Sequence, residues 1–330
     1  MRVFHRDKVK DLLRPGYCLC RDILDFKGRK RLKKNIALND VYLGERAFLL
    51  LTGSSLQQID IKKLQDEYTF GTGFIFLHED IGKVDPTFYV DLEPRKSFSP
   101  TNPNWPKSHL GPLGPEGIVT FYREIDNRFA DKTALILHSD NYKFIAKHKL
   151  FKNKITYCVK GQKRLHVPQA VPYRVIADLT RRSISGGGSV FFAILIMMYM
   201  GFKDIYLCGA GYTYEPIYEL HFYDTPSFPK TMGRESAEIE AQRAISARNR
   251  KRGSQLECYG VFEKDDFYEG IYVRRTDNDP NKDKHRALDR YARSQGVRIH
   301  NIVPEGFTSP IYEKISWEEV ENDILSGELA

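Results

Sequence analysis

The chain has 330 residues, of which 41% are hydrophobic and 28% charged, and its formal net charge is +8. A chain of this size can bury roughly 75% of its unfolded surface in one large domain. Residues 1–34 hold twelve Lys/Arg against four Asp, which accounts for the whole excess and argues against a basic nucleic-acid groove across the core.

In chain order, residues 1–45 read as a basic helical leader. Its Arg29-Lys30-Arg31 and Lys33-Lys34 clusters suit an anionic membrane surface, at about 1 kcal/mol per basic residue. A solvated segment is the equal alternative. Nucleic acid is not expected as a partner, because the aromatic interleaving that single strands need is sparse. The N-terminal stretch has no apolar h-region, so a secretory signal is not expected. Five cysteines at 18, 20, 158, 208 and 258 show no metal-ligand spacing and read as free thiols of a reducing cytoplasm.

Ala47–Thr52 is a continuous apolar run, as in a buried parallel strand. Gly53-Ser54-Ser55 turns it into a short helix near 56–65. Tyr68–Phe76 reads as a strand with a turn or bulge at Thr72-Gly73, and Thr87–Asp91 as another. Prolines 100, 103, 106, 112 and 115 mark a long loop. A helix over 116–130, a strand over 132–138 and a strand over 154–160 follow. Arg174–Leu179 is compatible with either strand or helix.

Ser185-Gly-Gly-Gly-Ser189 then runs into Val190–Met200, which is apolar on every side. Such a helix is normally buried. At under the ~20 residues a membrane span needs, it is too short to cross a bilayer. Its N-terminus turns unpaired N–H groups outward behind glycines, which makes a site for phosphate or carboxylate. A strand over 204–209, an aromatic loop over 212–230 and a charged helix over 234–252 come next. A helix over 282–295, a strand over 298–302 and a helix over 317–325 complete the chain.

Alternating strands and helices predict an α/β fold, a Rossmann-like parallel sheet with helices on both faces. The organisation expected is a leader (1–45), a catalytic domain (46–310) with an aromatic lid near 211–233, and a C-terminal helix (311–330). Ligands of such sheets bind beyond the strand C-termini. The loops at Gly53, Gly73, Asp91, Ser185 and Gly209 would then line one edge.

Several side chains carry candidate chemistry. Ser54 and Ser55 can cap a helix or donate to phosphate. No G-K-[ST] follows, so the turn is not a Walker loop, and two of the three glycines of a dinucleotide fingerprint are missing. Arg182 can hold an anion bidentately beside Ser185, Gly186 and Gly187. Asp91 and Glu93 form a D-x-E that suits a divalent metal only as the weaker reading. Tyr212, Tyr214 and His221 follow the 204–209 strand, and His221 has the intrinsic pKa of a general base. The bland reading is an aromatic cluster that packs a loop. His285, on a helix rich in charge, reads as solvated.

Phe48-Leu-Leu-Leu-Thr-Gly-Ser-Ser-Leu56 with Ile59-Asp60 resembles the G-N-G-P-S-L…(I/L)-D opening of the bacterial sialyltransferase-like superfamily. That group comprises Rossmann-type CMP-sialic acid transferases and hydroxymethylpterin pyrophosphokinase-like proteins of capsule and O-antigen clusters. Phe70–Phe76 with Asp85–Asp91 is similar to its second motif. Arg182-Ser-Ile-Ser-Gly186 is similar to its R-x-T-S-G, and Gly201–Gly209 to its G-[YF]-K-x-I-Y-L-x-G. Thr52, Gly73 and Gly211 stand where the family has Asn, Asn and Asp.

The resemblance implies a metal-independent, cofactor-free inverting transfer from a CMP-activated acidic sugar (a nonulosonic acid or Kdo type) to a glycan or glycolipid acceptor. The enzyme would be cytoplasmic, and peripheral on the inner membrane. It implies that Thr52, Gly53, Ser54 and Ser55 meet the nucleotide phosphate or ribose. Thr72 and Gly73 would lie beside the sugar and Asp91 near the nucleoside. Arg182, Ser185 and Gly186 would hold the donor, while Tyr212 or Tyr214 assists the leaving phosphate. Two other readings stay open: a pterin diphosphokinase using ATP and Mg²⁺, and a non-catalytic binding protein of a glycan locus.

Overall fold

The computed structural model describes residues 26–92, 114–162, 177–181, 183–184, 188–211, 213, 222 and 280–326. Helix α1 (Phe26–Lys33) continues through a 3-10 turn (Lys34–Leu38) to strand β1 (Arg46–Leu50). Two 3-10 turns (Ser54–Gln58 and Ile61–Leu64) stand where one short helix is expected, and lead to β2 (Thr69–Thr72). A further 3-10 turn (Gly73–Leu77) and α2 (Ile81–Val84) precede β3 (Phe88–Asp91). Then come α3 (Gly114–Arg128), β4 (Ala134–His138), α4 (Tyr142–His148) and β5 (Thr156–Val159). A small pair, β6 (Gly161–Gln162) and β7 (Ser183–Ile184), precedes α5 (Gly188–Tyr199) and β8 (Asp204–Cys208). The described chain ends with α6 (Pro280–Ser294), β9 (Arg298–Ile302), β10 (Glu313–Ile315) and α7 (Trp317–Ser326).

Eight strands form one sheet in the order β10-β9-β8-β1-β2-β3-β4-β5. Every pair in it is parallel. The fold is α/β and Rossmann-like, as the alternation predicts. The chain moves outward from β1 to β5, then crosses back to place β8 on the other side of β1. The four residues Ala47–Leu50 are fully buried because helices cover both faces. Ala47 and Leu49 point into the layer that holds α5 and α6, and Phe48 and Leu50 into the layer of α3, α4 and α7.

Helix α5 shows why its sequence is apolar all round: every residue from Val190 to Tyr199 is buried. The sheet covers one side and α6 the other. Its C-terminal carbonyls need donors, and the segment after α1 supplies them. Asp40 N–H donates to the Tyr199 carbonyl, Tyr42 N–H to Met200 and Gly44 N–H to Gly201. Gly201 has φ +98°, and a Cβ there would sit 2.9 Å from the Leu43 backbone. Residues 39–44 therefore form a strap across the end of α5.

Asn35 fixes the same segment to the far edge of the sheet. It is fully buried, and its Nδ2 donates to the carbonyls of Cys158 and Leu179, each at 2.8 Å. Edge strand β5 is thereby closed by a side chain. We predict that Asn35→Ala lowers the unfolding free energy by about 2–4 kcal/mol, because two buried carbonyls lose their donor. Urea unfolding measures this, and a change within experimental error would show that the edge is held by other contacts.

Candidate functional site

Because all eight strands are parallel, their C-terminal ends share one edge. The strand order reverses between β1 and β8, which is where open α/β sheets form a binding crevice. There the two chains meet backbone to backbone. Leu51 N–H donates to the Cys208 carbonyl at 2.9 Å and Gly53 N–H to the Gly209 carbonyl at 3.0 Å. A Cβ on Gly53 would lie 2.3 Å from the Gly209 oxygen and 3.1 Å from the Gly211 nitrogen. Gly209 has φ +78°, and its own Cβ would lie 3.0 Å from the Leu51 oxygen. The neighbouring turn joins them: Gly73 has φ +60°, and a Cβ there would be 3.6 Å from Thr52 Cγ2.

The Gly53 N–H is taken up by the Gly209 carbonyl. The next two residues hold the unused capacity instead. Ser54 and Ser55 open a 3-10 turn without capping it, and both are buried. Neither Oγ has a hydrogen-bond partner. Buried hydroxyls are normally satisfied, so two adjacent exceptions at the switch point of the sheet make this turn the candidate site.

Asp91 ends β3 on the same edge and is buried. Tyr122 of α3 donates its hydroxyl to Asp91 Oδ2 at 2.5 Å, and Asn141 Nδ2 donates to the Tyr122 oxygen at 3.1 Å. Burial, then the Asp91 charge, push the Tyr122 hydroxyl well above its ordinary pKa, so it stays a donor. Tyr89, on the same strand, donates to the Gly73 carbonyl at 2.7 Å. The second and third turns are thus fixed by phenols that sequence reading did not single out.

From the aromatic segment after β8, Thr213 and Phe222 are described. Phe222 N–H donates to the Thr52 carbonyl at 2.9 Å, and Gln57 Nε2 donates to the Phe222 carbonyl at 2.8 Å. The Phe222 ring lies 5.3 Å from the ring of His78. His78 Nδ1 accepts the Asp80 N–H at 3.2 Å, so Nε2 carries the proton of the neutral ring. On the other flank, Asn301 of β9 is fully buried and its Nδ2 donates to Ser309 Oγ at 3.1 Å, while its Oδ1 has no partner. An isolated His or Asn at a strand or turn end carries no spacing pattern, so the sequence gives no signal for His78 or Asn301.

The structure brings Thr52, Gly53, Ser54, Ser55, Thr72, Gly73 and Asp91 to one edge. Arg182, Ser185, Gly186, Gly187, Tyr212, Tyr214, His221 and Glu93 lie outside the described residues. One reading changes. His285 is not solvated: it is buried on α6, its Nδ1 bonded to the Tyr312 hydroxyl and its ring 5.8 Å from Phe191. Cys208, at the end of β8, is a free thiol as expected; it is fully buried, and burial pushes its pKa far up. Among the described residues no cluster of His, Cys, Asp and Glu has the arrangement of a metal site. No described helix is long and apolar enough to cross a membrane.

No family model and no curated protein sequence matches the chain. Among solved structures, it is similar to the sialyltransferase CstII from Campylobacter jejuni in complex with cytidine-5'-monophosphate. The match has 11% identity and a TM-score of 0.28, over 62% of this chain and 77% of that one. It is also similar to CstII in complex with CMP-3FNeuAc, with 14% identity and a TM-score of 0.29, over 62% of this chain and 78% of that one. At those values no residue role passes from them to this chain.

Gly53→Ala is expected to lower stability by about 3 kcal/mol, since the Gly209 carbonyl cannot move without breaking its bond. Gly82→Ala, with nothing within 4 Å of the added Cβ, is expected to be neutral. Equal melting of the two variants would contradict the contact. His78 supplies a second prediction. Burial holds its pKa below the ordinary 6.5, against the pull of Asp80 and Glu79. The folded state then binds fewer protons than the unfolded chain, so this contribution is complete above pH 6.5 and is lost as pH falls toward the folded value. His78→Gln is expected to flatten the acid side of the stability–pH curve. An unchanged slope in denaturant titrations would place the titrating group elsewhere.

Proposed function

We propose that the protein is a glycosyltransferase that takes its sugar from a nucleotide donor bound in the crevice between β1 and β8. The observation that carries this reading is the pair of buried, unpartnered Ser54 and Ser55 hydroxyls at the switch point of a parallel sheet. Hydroxyl donors beside a glycine turn suit a phosphate or ribose. The order of sequence motifs supports a CMP-activated acidic sugar as donor and a glycan or glycolipid as acceptor.

In this reading Ser54 and Ser55 hold the phosphate or ribose, and Thr52 with Thr72 and Gly73 borders the sugar. Asp91, positioned by Tyr122, lies toward the nucleoside. Arg182, Ser185 and the Gly186–Gly187 amides hold the donor from the α5 side. His221 is assigned as general base; it directly precedes Phe222, whose N–H is bonded to Thr52. His221 takes the proton of the acceptor hydroxyl, and that oxygen attacks the anomeric carbon from the face opposite CMP. The bond from the anomeric carbon to the phosphate oxygen breaks, and CMP leaves with the electron pair. Tyr212 or Tyr214 donates to the departing phosphate. Each preorganised donor of this kind is worth roughly 2.7–4 kcal/mol. No metal takes part, so a chelator leaves the rate unchanged.

The test is nucleotide binding by thermal shift with CMP, UMP, GMP and ATP, the last with and without Mg²⁺. CMP is expected to stabilise the protein most. Ser54→Ala/Ser55→Ala is expected to melt like the wild type without ligand, because no hydrogen bond is lost, and to bind CMP about tenfold more weakly. Stabilisation by ATP only with Mg²⁺ would replace the assignment with a diphosphokinase. Failure to bind any nucleotide would leave a binding protein without this chemistry.

A further inference from the structure

The structure assigns a second functional surface, distinct from the crevice: the flank around edge strand β5 docks on an anionic lipid bilayer. This inference does not rest on the proposed transferase activity. Along α1 and the 3-10 turn after it, Lys27, Arg29, Lys30, Lys33 and Lys34 are exposed, whereas Leu32, Asn35 and Leu38 turn inward. No Asp or Glu occurs between residues 26 and 39. On the other side of β5, α4 and the loop after it expose Lys143, Lys147, Lys149 and Lys152, and residues 141–155 also lack an acidic side chain. The two groups form one flank, because Asn35 is bonded to Cys158 of β5 and the Arg31 guanidinium lies 4.5 Å over the Tyr142 ring of α4.

Charge at a sheet edge can serve only to repel other strands. The apolar side chains here argue for more. Seven large hydrophobic side chains are exposed among the described residues, and three of them lie on this flank: Ile36 at 65%, Tyr142 at 43% and Ile155 at 60%. Two more, Val41 at 55% and Leu43 at 67%, lie on the strap that continues from it. A surface kept basic only for solubility has no reason to hold them.

The mixture identifies the partner. The cations are eight lysines and one arginine on flexible stems, which suits diffuse negative charge rather than the bidentate recognition of single phosphates. The aliphatic groups between them suit the boundary between headgroups and acyl chains. A single-stranded nucleic acid would call for aromatic platforms, and this flank has one exposed ring among the described residues. Tyr142 begins α4 at the C-terminal end of β4, so the flank reaches the edge that carries the crevice. A bilayer bound here lies four strands from the crevice, on the side of the sheet that ends in β5.

The experiment is cosedimentation of the full chain with phosphatidylcholine vesicles, with and without phosphatidylglycerol. Binding is expected only with phosphatidylglycerol, and is expected to be lost at high salt. The variant K143E/K147E/K149E/K152E, which leaves the basic N-terminal residues intact, is expected to lower the partition coefficient about tenfold or more. Ile36→Ser/Ile155→Ser is expected to weaken binding while the melting temperature stays that of the wild type. The inference is overturned if the wild type ignores phosphatidylglycerol vesicles or if the charge-reversal variant binds them as well as the wild type. It is also overturned if a duplex RNA probe binds and the vesicles do not displace it.

Discussion

At Gly53 and Gly209 two main chains come so close that neither residue has room for a Cβ. The strands on either side of the switch point pair along their whole length, and the pairing continues one bond past their ends. That last bond needs a residue without a Cβ on each side. It leaves the turn after β1 rigid and directs the following residues, Ser54 and Ser55, into a tight 3-10 turn. A motif that looks like a generic capped turn is therefore a backbone junction first, and its serines are released from capping.

The remaining turns are held to this junction in sequence. Thr52 touches the Gly73 position, Tyr89 fixes the Gly73 carbonyl, and Tyr122 fixes Asp91. The last two ties are hydrogen bonds from buried phenols, which hold these turns in place. Phe222 adds a clasp from the segment beyond β8. A preorganised edge is what catalysis by positioned donors needs, since nothing has to reorient when charge develops on a leaving group.

The elements with strong local signals were legible in the sequence. Continuous apolar runs gave β1 and β8, and Val190–Met200 gave a helix buried on every side. Elements whose form depends on tertiary partners were not. Helix α4 is short and rich in lysine, and forms because Phe144 and Ile145 pack under the sheet. Strand β10 is three mostly polar residues long, held by its pairing to β9. His285 reads as solvated from its charged neighbours, yet its α6 position faces α5. Gly53, Ser54 and Ser55 were legible as candidate residues of a turn, but the contact of Gly53 with Gly209 was not, because it joins residues far apart in the chain. His78, Tyr122 and Asn301 follow no spacing rule and become visible only when the strands are placed side by side.

The central claim is that the junction between β1 and β8 forms the floor of a donor site. Amide hydrogen exchange with and without CMP tests it most directly. The account predicts that CMP slows exchange at residues 52–58 and 209–213 together, while the β5 edge is unaffected. Protection confined to other strand ends, with both of these turns unchanged, would contradict it.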